Sequence, residues 1–492
     1  MQRRRFIQGV LGLAASSGKR RLASGVALAP AAVGRAEARA GFPLADLKAS
    51  LDPATARVVA PGEGDYNKLR QAYNLRTLRT PQAIVLPKTQ AGVGAIVGWA
   101  RSRRVPFSVR GGGHSYEALS LSDSLVIDTR LLNTVRVNGR ERTVAVGGGA
   151  TLGQVYQAVG ALELGVPGGS CPTVGVAGNT LGGGFGFLAR QYGMACDSLV
   201  SVEMVDAAGR TVIADAGNNA DLFWACRGAG SGSFGVVTDF VFECQVVKQV
   251  TVFGIGWQLP PGRAKAVMKA WQSWAPNAPK PITSIFRIVK NGPGTIALRC
   301  AGQWVGPAER IEAELRPLIA AAAPSSALTK RTTTFLGAIR HFTPDDEPAF
   351  MKGKSDYVAA PMSDAGIDAL LGGLGQLPAS AITIICDAYG GAIADMTAAD
   401  TAFPHRGGVL YSMQYYMQMP PASADVRLAQ MRALYAAMRP YVSGAAYLNY
   451  PDLDLLDAAQ AYWGGNLARL EQVKAAVDPD NLFRHAQSVP LP

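Results

Sequence analysis

Leu164–Asp197 reads LGVPGGSCPTVGVAGNTLGGGFGFLARQYGMACD. It sets one cysteine, Cys171, in a glycine-rich loop and follows it with a second glycine run, Gly182-Gly183-Gly184-Phe185-Gly186. Upstream, Arg110-Gly111-Gly112-Gly113-His114-Ser115-Tyr116 treats a histidine in the same way. Glycine lets backbone approach a ligand closely, so each segment presents one nucleophilic side chain at a ligand-facing loop. Histidine and cysteine are side chains that can bond covalently to a flavin, one through a ring methyl and the other through a ring carbon. The pair predicts FAD held at both His114 and Cys171.

Outward from these loops, the chain from Pro81 alternates strand and helix. Ala83–Leu86 is a short apolar strand. Thr89 can cap a helix whose apolar face is Val93, Ile96, Val97 and Ala100, the i, i+3, i+4, i+7 spacing. Residues 105–109, 124–128 and 143–146 read as strands and 152–162 as a helix. Ligand sites in α/β domains lie at such strand ends, where the glycines are. Gly230, Gly232 and Gly235 match G-x-G-x-x-G, but a helix-like segment precedes them and a strand follows. The dinucleotide fingerprint needs the reverse order, so that reading is rejected.

From about 248 the pattern changes to strands at 252–257, 284–289, 295–301, 382–385 and 409–417. Helices are expected at 264–274, 309–321 and 424–438. This predicts an antiparallel sheet with helices on one face. On its last strand, alternation puts Ser412 and Gln414 on one face and Tyr411, Met413 and Tyr415 on the other. The fold class is α+β, a flavin-binding domain of two α/β subdomains joined to this sheet. The expected divisions are 1–40, 41–247, 248–445 and 446–492, the tail returning to the flavin domain.

At 492 residues the chain exceeds one compact core. Its net charge of +12 looks like a nucleic-acid signal until it is divided. Residues 1–40 hold eight Arg or Lys against Glu37, which leaves +5 for the rest; nucleic acid is not an expected partner. Six cysteines without C-x-x-C and four scattered histidines predict no metal. The disulfide pairing of the other cysteines is left open. Arg3-Arg4-Arg5-Phe6-Ile7 resembles a twin-arginine export signal, with Ala38-Arg39-Ala40 as a cleavage site. The twin-arginine machinery is therefore an expected partner, the destination periplasmic or extracellular, and no stable membrane association is expected.

Taken together, RGGGHSYEALS, GGSCPTVGV, LGGGFG with ARQYG, TAFPHRGG, YLNYPDLDL and DPDNLFRH resemble the berberine bridge enzyme-like FAD-linked oxidases of the vanillyl-alcohol oxidase/PCMH superfamily. The match covers roughly 75–245 and 385–490. The resemblance implies a PCMH-type domain with FAD bonded to His114 and Cys171. It implies a cofactor site made by Arg110, Gly111, Gly112, Gly113, Ser115, Val174, Gly175, Gly178, Gly183, Gly184, Phe185, Gly186, Gly235, Val236, Tyr447, Asn449 and Asn466. Asn481 is expected to help close it, and Cys196 to be core.

Tyr447 matches the family's catalytic tyrosine. Relatives carry a second tyrosine where this chain has Phe185, so Tyr450, Tyr116 or Gln414 is expected to assist. Three residues after the linking cysteine, Val174 stands where Val accompanies oxidases and Leu accompanies dehydrogenases. The implied reaction is oxidation of a small-molecule alcohol, a carbohydrate or bulky metabolite, with molecular oxygen as partner and peroxide as product. The alternatives are a dehydrogenase with another acceptor and a flavin-carrying binding protein.

Overall fold

The computed structural model describes residues 41–342 and 347–492, so the twin-arginine segment lies outside the described residues. Four short strands build the first sheet: β1 (Ala56–Val59), β2 (Ala83–Pro87), β3 (Phe107–Arg110) and β4 (Leu125–Asp128). Their order is β1-β2-β4-β3, with β2 and β3 parallel to β4 and β1 antiparallel to β2. Ala83 and Val85 enter one apolar core, Ile84 and Leu86 another. Burial on both faces is why β2 reads as a continuous apolar run. The expected helix is Gln90–Ser102; Thr89 caps it by accepting from the Gly92 N–H at 3.1 Å, and all four face residues are buried.

The second sheet uses β5 (Val135–Asn138) and β6 (Thr143–Gly147). After the two-residue β7 (Leu164–Gly165) it continues with β8 (Leu199–Val205), β9 (Thr211–Asp215) and β10 (Val236–Glu243). Its order, β5-β6-β10-β8-β9, is antiparallel throughout. The strand–helix alternation expected from Pro81 thus produces parallel pairing only in the first sheet. In the second, β5–β6 and β8–β9 are hairpins, which need only a tight turn. β11 (Gln245–Val246) pairs with β7.

The third sheet holds β12 (Val250–Leu259), β13 (Ile282–Lys290), β14 (Ile296–Trp304), β15 (Thr329–Thr333), β16 (Met351–Val358), β17 (Thr383–Ala388) and β18 (Tyr411–Gln418). The order is β15-β12-β14-β13-β17-β18-β16. Every pairing is antiparallel. Helices Pro261–Trp274, Asp364–Gly375 and Ala424–Met438 cover one face, burying Phe253, Trp257, Phe286, Leu298 and Tyr415. The opposite face carries Asp387, Ser412 and Gln414.

Two expectations here are corrected. The single helix over 309–321 is three pieces, Ala308–Arg310, Ile311–Glu314 and Arg316–Ala321. Pro317 has no N–H and cannot continue an α-helical ladder. β16 escaped notice because MKGKSDYV shows no apolar alternation, yet all eight residues are buried. Its lysines are neutralised from outside the sheet: Lys352 by Glu117 and Asp452, Lys354 by Asp452 and Asp454 at 2.7 Å each.

The C-terminal segment returns to the glycine loop before β10. The buried Lys474 ammonium donates to Asp478 at 2.6 Å, to the Ser233 carbonyl at 2.7 Å and to the Phe483 carbonyl at 2.6 Å. Among the described residues no helix is long and apolar enough to cross a membrane.

Candidate functional site

The histidine and cysteine loops meet backbone to backbone. A Cβ added to Gly112 would lie 2.2 Å from the Gly175 nitrogen, and one added to Gly175 would lie 2.3 Å from the Gly112 nitrogen. No other residue permits that approach. Thr173, two residues past the cysteine, ties the loops further: its hydroxyl and His114 Nε2 are 2.8 Å apart. The His114 ring stacks on Tyr73 with centroids 4.2 Å apart. His114 and Cys171 consequently line one elongated cavity, together with Ser115, Val174, Gly178, Gly186 and Gly235.

At the same cavity Tyr447 is buried with three donors on its hydroxyl oxygen. The N–H groups of Gly184 and Phe185 donate at 3.0 Å each, and Asn449 Nδ2 at 3.1 Å. Gly184 sits at φ +81°, a left-handed turn that aims consecutive N–H groups at one point. A phenol oxygen keeps one proton and offers two lone pairs, whereas a phenolate can accept three donors. Burial, the largest influence, pushes this phenol up to about 12, and the three donors pull the other way. Phe185 therefore serves through its N–H, while its ring stacks on Tyr389 at 5.6 Å.

The expected assistants form a wall rather than a relay. Tyr450 meets Tyr447 edge-on at 4.9 Å and stacks on Tyr116 at 5.4 Å. Gln414 Nε2 donates to the Tyr116 hydroxyl at 2.9 Å. Burial raises Tyr116 and Tyr450 well above the usual phenol range, as it raises Tyr447, but the trio of donors that opposes the shift is at Tyr447.

Sequence reasoning missed Asp387, which lines the cavity from β17. It accepts from the Ser412 hydroxyl at 3.1 Å, and burial pushes its carboxyl up to about 7 against that bond and the Arg287 charge. A signal existed: Asp387 lies directly opposite Ser412 in the β17–β18 register, on the face already assigned to Ser412 and Gln414. His485, Phe483 and Ser231 were also missed.

Several expected cofactor residues do not line the cavity. Arg110 lies behind it, donating to the carbonyls of Leu69 and Gln71 at 2.7 Å each. Val236 is core beside Phe107 and Ile127. Gly183 faces Phe403, where an added Cβ would sit 2.9 Å from the ring, and Gly184 acts only through its N–H. Asn466 binds carbonyls of Ala398, Thr401 and Ala402, because that buried loop needs donors. Asn481 borders a separate recess with Asp480 and Arg101. Cys196 is core as expected, buried beside Asp197 and Arg406.

The cavity suits FAD. Val237, Gly235 and Ser231 line it together with His114, Cys171 and Tyr447. In it the buried Ser231 hydroxyl has no hydrogen-bond partner among the described residues. A buried hydroxyl left that way is costly and is satisfied by a polar ligand.

Comparison with known proteins agrees. The FAD binding domain model matches residues 81–215, and the berberine and berberine-like model matches residues 446–490. FAD-linked oxidoreductase YgaK of Bacillus subtilis is 33% identical over 443 residues, covering 89% of this chain and 97% of its own. Among solved structures, Physcomitrella patens BBE-like 1 superposes with a TM-score of 0.85 at 34% identity, over 91% of this chain and 99% of its own. Chitooligosaccharide oxidase superposes with a TM-score of 0.84 at 27% identity, over the same shares.

Proposed function

Because this chain belongs to the berberine bridge enzyme-like family of FAD-dependent oxidoreductases, we propose that it is an oxidase with FAD bonded to His114 and Cys171. It converts an alcohol, a carbohydrate above all, to the carbonyl and passes the electrons to molecular oxygen, releasing hydrogen peroxide. The observation that carries the reading is the convergence of three N–H donors on Tyr447 in the cavity that holds His114 and Cys171. FAD, when bound, supplies the acceptor for the hydride that leaves the carbinol carbon. Tyr447, as the phenolate that the N–H groups of Gly184, Phe185 and Asn449 favour, takes the hydroxyl proton and becomes the neutral phenol. Oxygen then receives two electrons and two protons. Asp387 and Tyr116 in the cavity wall, backed by Ser412 and Gln414, and the likeness to chitooligosaccharide oxidase, favour a polyhydroxylated substrate.

The purified holoprotein tests this. At least one sugar is expected to bleach the yellow colour without air and to yield peroxide in air. Absence of bleaching across a broad sugar and alcohol panel would remove the catalytic reading. Acid-precipitated wild type is expected to stay yellow, and only the double change His114→Ala/Cys171→Ala to free all the flavin. FAD that washes out of unfolded wild type would refute the covalent assignment.

Val174 governs the second half-reaction. It lines the cavity and is pinned there, since its carbonyl accepts from the Leu152 N–H at 2.9 Å. Val174→Leu adds one methylene to a packed wall, a cost of order 1 kcal/mol or more. We expect reaction with oxygen to slow by roughly tenfold, the rate equivalent of about 1.4 kcal/mol, with reduction by substrate nearly intact. Stopped-flow separates the two. Equal slowing of both would mean a packing defect and no role in oxygen access.

A further inference from the structure

Arg287 on β13 and Arg299 on β14 stand directly opposite each other. Their strand neighbours Phe286, Ile288, Leu298 and Cys300 point into the helix-covered core, so both arginines project from the other face, the one that carries Asp387. Ile285, two residues from Arg287 on that face, lines the flavin cavity. Arg287 lies within the electrostatic reach of Asp387, Cys171, Tyr450 and Tyr416. Arg287 therefore stands beside the cavity, and Arg299 is its neighbour on the adjoining strand.

Like charges directly opposite in a sheet are destabilising, and these two are half-buried. Burial holds both guanidinium groups below their usual range, and for Arg299 the Arg287 charge adds to it. Neither has a hydrogen bond or a salt bridge to any described residue. Asp387, the acid nearest Arg287 in this respect, is hydrogen-bonded to Ser412 instead. The Arg299 head leans away, across the next strand, where a Cβ on Gly254 would lie 2.9 Å from its Nη2. On Arg299's own strand and face stand the methyl-sized Ala297 and Ala301. Two cationic forks thus share this face, and among the described residues no acid is hydrogen-bonded or salt-bridged to either.

We propose that the substrate carries a carboxylate and that Arg287 and Arg299 bind it while the carbinol faces Tyr447, so the substrate class is hydroxylated acids of the uronic-acid type. Guanidinium forks match a carboxylate bidentately. A monoanion suits the site better than a phosphate dianion, because Asp387 already offsets part of the positive charge beside Arg287. This assignment rests on the oxidase reading above for its carbinol, and on the arginine pair alone for its carboxylate.

The test uses matched pairs differing in the acid group, D-glucuronate against D-glucose and D-galacturonate against D-galactose, with glucose 6-phosphate as the dianion. For holoenzyme, kcat/KM for peroxide release is expected to favour an acid over its neutral partner by roughly 10- to 100-fold, the worth of a hydrogen-bonded charge pair. The preference should weaken with added salt. Arg287→Gln and Arg299→Gln should each collapse that preference through KM. A neutral sugar used as well as its acid, or an acid KM indifferent to both changes, would overturn the proposal; a preference for the phosphate would replace the carboxylate with a dianion. A second readout avoids turnover by using Tyr447→Phe holoprotein, in which reduction is slowed: perturbation of flavin absorbance by D-galacturonate in the absence of oxygen. Perturbation by the acid alone, lost in Arg287→Gln, supports the anion site even if no alcohol is oxidised. Perturbation by neither acid, or equally by D-galactose, rejects it.

Discussion

Tyr447→Phe is expected to slow oxidation of the carbinol by roughly 10²- to 10⁴-fold, the span contributed by a positioned acid or base, while the flavin stays attached. The phenol oxygen is the point to which Gly184, Phe185 and Asn449 all donate. Phenylalanine keeps the ring against Phe403 and Tyr450 but removes the only acceptor those N–H groups share. Two consequences follow from one deletion. The proton on the substrate hydroxyl loses its destination, and buried donors go unsatisfied at about 1–3 kcal/mol. Thermal unfolding reads the second effect, and anaerobic rapid mixing with the best sugar from the peroxide screen reads the first. A reduction rate indistinguishable from wild type would show that another group takes the proton, and Asp387, held near 7, is the first to examine.

Asp452→Asn should lower stability by about 3–5 kcal/mol, the cost of stripping one partner from a buried ion cluster. Its two carboxylate oxygens face Lys352 and Lys354, and all three side chains are at most 3% exposed. Glu117 and Asp454 complete the cluster, and Arg76 and Arg432 extend it. The amide keeps the shape but leaves two ammonium groups short of a counter-charge. The cluster joins the loop after His114, the edge strand β16 and the C-terminal segment bearing Tyr447, so the loss should also loosen the site. Denaturant unfolding, with m compared between the proteins, checks it. A shift below about 1 kcal/mol, the median for exposed pairs, would mean that water already reaches the cluster.

The flavin loops were legible because their chemistry is local. A glycine beside a glycine announces close backbone approach, and His114, Cys171 and Val174 are each fixed by residues within a few positions. The same locality exposed the helix at 90–102, whose cap and apolar face lie within one short segment, and the last strand, where alternation sorted Ser412 and Gln414 from Tyr411 and Tyr415.

The errors share the opposite property. β16 reads as a polar loop until Glu117 and Asp452, at sequence separations of 235 and 100, bring charge to its lysines. Asn466 and Arg110 looked like cofactor ligands, yet both donate to loop carbonyls elsewhere in the chain. The substitution of Phe185 for tyrosine looked like a lost assistant to Tyr447. A side-chain letter cannot show that the backbone N–H behind it is the functional group.

By itself, then, the sequence pointed to FAD as the cofactor, to where the sheet faces divide and to Tyr447 as the candidate proton acceptor, because these depend on residue type and short-range period. The tertiary structure alone decided what surrounds that tyrosine's oxygen, that Asp387 shares its cavity, and that Arg287 opposes Arg299. Each of those is a matter of strand register and long-range burial, which fix the local dielectric and the partner of every charge, and neither is written in any single segment.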